Sequence, residues 1–209
     1  MIPNTQQQDL NDRLNLIETM IAEGRRTTES WGWIFVLWGV AYYVAIAWSF
    51  WGNHASLAWG VTMVAAMILS FGTVAWRASR GGRNTQPPTT LSRSISSLWI
   101  AVGISFVVLL PSLGIGGMSS SKLVVAVIGT LLGTANAASS LILRWKLQFA
   151  CAVIWWGMAI VSCLGTTRQS SIALLVANFL CQIAFGLYGM AAEARQARAG
   201  AAGQGALHA

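Results

Sequence analysis

The side chains that could do chemistry inside the long apolar runs of this chain are chiefly three amides, Asn136, Asn178 and Gln182. An amide offers hydrogen-bond donors and acceptors but no titrating proton, so it can bind a neutral solute or tie helices together. The middle third of every run holds no Asp, Glu, Lys, Arg or His. Proton-coupled carriers, voltage sensors and intramembrane metalloenzymes rest on such residues, and a serine nucleophile needs a base that is missing here. His54 and His208 lie outside the runs without a ligand-type neighbour at metal spacing, and Cys151, Cys163 and Cys181 form neither a CxxC pair nor an even set. The reading is therefore of no catalytic residues, no cofactor and no metal site.

Asn178 and Gln182 are four apart and share a helical face, which continues through Gly186 and Gly189 to Glu193. A second ridge of small and polar residues, Gly129, Gly133, Asn136 and Ser140, contains GTLLG, the GxxxG spacing that lets helix backbones approach closely. A hydrogen bond between the two ridges is expected, because an amide in hydrocarbon must find a partner. The ridges serve either as helix glue or as the lining of a narrow path for a small neutral solute. Most of the eleven tryptophans fall near run ends, where interfacial anchoring explains them. Trp38 precedes Gly39 and Trp156 precedes Gly157 at greater depth, a pairing that suits a ring packed over a backbone notch. The GIGG turn at 114–117 lacks the Lys-Ser/Thr of a phosphate cradle.

These side chains need helices of membrane length to position them. The chain is 55% hydrophobic and 9% charged, too little polar surface to coat a soluble globule of 209 residues. The run 31–50, WGWIFVLWGVAYYVAIAWSF, is free of charge, and twenty helical residues cover about 30 Å, the thickness of a bilayer's hydrocarbon core. Five further runs, 55–76, 94–113, 123–143, 147–165 and 169–192, reach the same length. The predicted fold class is all-α, a polytopic integral membrane protein of six transmembrane helices. Of the Lys and Arg residues only Lys122 and Arg168 fall in the loops of one side, so the positive-inside rule places both termini in the cytoplasm. Arg25 and Arg26 before the first run imitate an export signal, but a twenty-residue apolar core is too long for one.

The first thirty residues hold Asp9, Asp12, Glu18, Glu23 and Glu29. Leu10, Leu14, Ile17 and Ile21 recur at helical spacing among them, which predicts a short amphipathic helix over 8–23 with Gly24 at its end or at a bend. The chain thus divides into a cytoplasmic helical segment, 1–30, a six-helix transmembrane domain, 31–192, and a flexible cytoplasmic tail, 193–209. The arginine-bearing, Gly- and Pro-rich stretch 77–93 reads as a flexible link, and no convincing internal repeat relates the two halves. The net charge of +7 is spread singly between apolar runs, which excludes a nucleic-acid face. The expected partners are the lipid bilayer and, through the stripe of the amino-terminal helix, another protein or a second copy. The expected location is the plasma membrane, as in a bacterial inner membrane. The expected role is a non-enzymatic scaffold, sensor or regulatory subunit, with a solute facilitator as the rival and a lipid enzyme using Glu29 and Glu193 a distant third.

Overall fold

A computed structural model describes residues 4–51, 55–80, 90–118 and 120–207; His54, His208 and most of the 77–93 link lie outside the described residues. Among the described residues the chain is all-helical, with no strand: α1 (Asn4–Ser30), α2 (Gly32–Trp51), α3 (Ala55–Arg80), α4 (Thr90–Ile115), α5 (Ser121–Leu143), α6 (Lys146–Leu164), α7 (Thr167–Asn178) and α8 (Phe185–Leu207). A π-helical segment, Phe179–Ala184, joins α7 to α8 without a break. Among the described residues six helices are long and apolar enough to cross a membrane, one for each apolar run.

The helices sort into two compact units, residues 1–28 with 88–164, and residues 29–87 with 165–209. Each holds three of the long apolar helices, consecutive in the first unit and drawn from two separate parts of the chain in the second.

In the first unit α5 and α6 form a hairpin. Gly129 and Gly133 bring the backbones together: a Cβ at Gly129 would lie 2.8 Å from the Trp155 carbonyl oxygen, and one at Gly133 would overlap the Trp156 indole. The notch under Trp156 is therefore Gly133 across the hairpin, while Gly157 next to it in sequence opens onto empty space. Ser120 caps the start of α5, accepting from the Leu123 N–H at 3.3 Å. Its end closes through Arg144 in the left-handed region at φ 49°. Along α4 no residue beyond Ile95 is buried, and the helix continues through Pro111, which the sequence places at its end, because the proline lies in the last turns before Ile115.

α1 runs past its expected end at Glu23 through Gly24 to Ser30. Gly24 is buried, and its place in the helix is one of close approach: a Cβ there would meet Leu143 at 2.6 Å and Leu91 at 3.2 Å. One residue on, Arg25 donates from Nε to the Leu143 carbonyl at 3.1 Å and from Nη2 to the Arg144 carbonyl at 2.6 Å. These are C-terminal carbonyls of α5 that no helical N–H reaches, and the guanidinium also meets the negative end of the helix dipole. Arg25→Met keeps the apolar stem but removes both bonds. We expect a loss of about 1–2 kcal/mol in the unfolding of the detergent-purified protein, discounted for the partial exposure of the pair.

In the second unit α2 is the central helix, packed on α3, α7, the π segment and α8. Gly32 and Gly186 sit backbone against backbone, and Gly189 lies against Glu29 and Gly32. Phe35 meets Phe185 edge-on at 5.5 Å between ring centroids, and Tyr42 meets Trp59 at 5.7 Å. Thr166 and Gln169 form a capping box at the start of α7. Residues 193–207, expected as a flexible tail, continue α8 as helix.

Candidate functional site

Three polar side chains of the second unit, Tyr43, Asn178 and Gln182, lie where α2 crosses the junction of α7 and the π segment. Tyr43 donates its hydroxyl to the Leu175 carbonyl at 2.9 Å, and Asn178 donates from Nδ2 to the Gly39 carbonyl at 3.1 Å. Gly39 and Tyr43 are one turn apart on α2, so two adjacent turns of that helix grip two adjacent turns of α7. Gly39 also faces the next turn: a Cβ there would lie 3.0 Å from Cβ of Gln182 and 2.8 Å from Cγ1 of Ile183.

Asn178 is fully buried and Gln182 nearly so, at 0% and 5% exposure. Oδ1 of Asn178 and Oε1 of Gln182 have no hydrogen-bond partner. The amide of Asn178 cannot be turned over to relieve this, because Oδ1 would then face the Gly39 oxygen.

The π segment explains how this face stays continuous. Buried positions 170, 174, 178, 182 and 186 recur every fourth residue. In an α-helix each step of four residues leads by about 40°, so four such steps would carry Gly186 well round the helix from Ser170. The wider i→i+5 turn lags where the α turn leads and brings Gln182, Phe185 and Gly186 back toward α2. Single π turns within α-helices recur at functional sites, and this one carries the unpartnered amide oxygen of Gln182.

Asn136, in the first unit, does something different. Its Nδ2 donates to the Leu132 carbonyl of its own helix at 2.8 Å, and the side chain is buried. The donors of Asn136 and Asn178 thus go to Leu132 and Gly39, each within its own unit. The glycines of each ridge are spent inside their own units, Gly129 and Gly133 against α6, Gly186 and Gly189 against the start of α2 and the residues just before it.

A further buried amide, not singled out by its place in the sequence, is Gln148 in the first turn of α6, at 0% exposure with neither amide atom partnered. Ser139 Oγ and Trp155 Nε1 are also buried without partners. The signal was present, since a glutamine inside a run of apolar residues is as unusual as an asparagine. Its place beside Lys146 reads instead as the wet end of a helix.

The apolar stripe of α1 changes character along its length. Leu10, Leu14 and Ile17 are 53%, 54% and 53% exposed, Ile21 is half-buried, and Gly24 and Thr28 on the same line are buried. Among the described residues no group of three or more His, Cys, Asp or Glu side chains comes together, and the three cysteines form no disulfide. Comparison with known protein families, with curated proteins and with solved structures finds no match for this chain.

Proposed function

We propose that the protein is an integral membrane protein of six spans with both ends in the cytoplasm of a plasma membrane, acting through contacts as a scaffold or as a sensory or regulatory subunit. Support for the membrane comes from the outward side chains of the long helices, which are themselves apolar: Ile68, Phe71, Ile100, Ile104, Leu141, Ile160 and Leu187 are all more than half exposed. In water such a surface would aggregate, whereas in lipid it is the solvated one.

The observation that carries the interaction reading is the half-covered stripe of α1. Its carboxyl-terminal part is docked through Gly24, and its amino-terminal part continues the same line with Leu10, Leu14 and Ile17 exposed among the described residues. That uncovered part is acidic, with Asp9, Asp12 and Glu18 against Arg13, and Asp9 already pairs with Arg13 at 3.1 Å. Negative charge disfavours anionic lipid headgroups and suits a protein partner with a basic rim. The bait experiment compares the intact protein, a form lacking residues 1–23, and Leu10→Gln with Leu14→Gln and Ile17→Gln. Partners or oligomer size are expected to change in both altered forms; unchanged complexes in both would overturn the reading.

A second reading, a facilitator for a small neutral solute, is favoured by the unpartnered oxygens of Asn178 and Gln182. Its measure is flux into proteoliposomes, expected to fall when both residues become Leu while the fold is kept.

A further inference from the structure

We propose that the free part of α1 pairs with α1 of a second copy of this chain, as a parallel two-helix seam of Leu10, Leu14 and Ile17. This rests on the interaction reading above and names its partner. From Gln8 to Thr19 every residue of α1 is exposed, on all sides of the helix. Three turns of helix standing free are only marginally stable in water, and pairing along the apolar stripe would bury it. Leu10, Leu14, Ile17 and Ile21 are spaced by four, three and four, the alternation that keeps apolar residues on the seam of a coiled coil. The same line ends on Gly24 and Thr28, which are buried, so the pairing is confined to the part that the chain's own unit leaves open.

The charges favour a second copy over a foreign helix. With Leu14 and Ile21 at position a of the heptad and Leu10 and Ile17 at d, Arg13 falls at g and Glu18 at e, and both are exposed. In a parallel pair the g residue of one helix faces the e residue of the following heptad on the other, five positions along, and Arg13 and Glu18 are five apart. Two copies therefore meet with Arg13 beside Glu18 of the other copy on both edges of the seam. Asp9 and Asp12 fall at c and f, away from it. The Asp9–Arg13 pair within one helix is exposed at both ends, and such a pair is weak enough for Arg13 to be shared. The direction follows from the proposed topology, since two copies in one bilayer carry α1 pointing the same way. A seam of two heptads is short, and it joins copies that their spans already hold side by side at high local concentration.

The test is disulfide cross-linking of the full-length protein in the membranes in which it is expressed, with the exposed Cys163 changed to Ser and one new cysteine introduced at a time. Leu10→Cys and Ile17→Cys are each expected to give a dimer, because like seam positions face each other in a parallel pair; Thr19→Cys, at f on the opposite face, is not. Added to Ile17→Cys, Glu18→Arg should cut the yield about fivefold by setting like charges across the seam, and Arg13→Glu on top of it should restore the yield. All these positions are exposed, so the variants keep the fold. Equal yields at positions 10, 17 and 19, no dimer at 10 and 17, a yield that Glu18→Arg leaves unchanged, or a loss that Arg13→Glu does not restore would each overturn the proposal. If no dimer forms while removal of residues 1–23 still changes the complexes the protein makes, the second copy is ruled out and the interaction reading stands with another protein as the partner.

Discussion

Gly186→Ala is expected to destabilise the second unit by about 2–3 kcal/mol, with Gly186→Val abolishing its folding. A Cβ at Gly186 would stand 2.6 Å from the Gly32 carbonyl oxygen, 2.8 Å from Cγ2 of Val36 and 3.0 Å from the Val36 nitrogen. The reciprocal change meets the same obstacle, since a Cβ at Gly32 would lie 2.5 Å from the Gly186 oxygen and 2.9 Å from the Met190 nitrogen. Backbone atoms cannot swing aside as a side-chain tip can, so α2 and α8 must part. The same separation loosens the Phe35–Phe185 contact one turn away. If these helices lie in lipid, as proposed, there is no water to expel between them, and the loss of close packing is not made up elsewhere. Gly157→Ala is the matched control: nothing lies within 4 Å of a Cβ there, and the better helix former should leave stability unchanged or slightly raised. Denaturant unfolding of the three proteins in one detergent measures the difference. A loss in Gly186→Ala no larger than in Gly157→Ala would show that this approach is looser than the backbone distances state.

The six apolar runs were legible because membrane-length helices need only length and the absence of charge, and the helix bounds follow the runs to within a few residues wherever a charged or capping residue ends them. α5 and α6 are examples, limited by Ser120 and Arg144 and by Lys146 and the turn before Thr166. The pairing of helices was not legible. GxxxG announces a close approach without naming the helix that makes it, and Gly129 and Gly133 could have met any neighbour. The reach of Arg25 to Leu143 and Arg144 was hidden for a related reason, since in sequence a lysine or arginine near a span is already accounted for by topology. The left-handed Arg144 closes α5 onto the Ser140 carbonyl, which leaves the carbonyls of Leu143 and Arg144 for a donor from another helix to meet.

The π segment was not legible, since Asn178, Gln182 and Gly186 read as one ordinary helical face; burial at Ser170 and Leu174 as well makes a run every fourth residue that an α-helix cannot hold on one face, and this gives the second large effect. A π turn is in essence an α-helix with one residue too many. Deleting Leu180, a 42% exposed residue inside the segment, should therefore be tolerated. The buried residues on either side of the gap then fall three and four apart, Asn178 followed by the present Gln182 and Gly186 at ordinary α-helical spacing, and the contacts of Asn178 with Gly39 and of Gly186 with Gly32 both survive. Deleting the exposed Thr134 from α5 should not be tolerated, because that helix has no surplus residue to give up. Everything beyond the deletion rotates by about 100°, which takes Gly133 and Gly129 off the line of Asn136 and Ser140 and turns polar and bulky side chains into the α6 contact. Thermal unfolding in detergent should place the Leu180 deletion within about 1 kcal/mol of the parent and leave the Thr134 deletion unfolded or several kcal/mol weaker. Equal damage from both would mean that the extra residue is built into the packing of α2 and not merely accommodated by it.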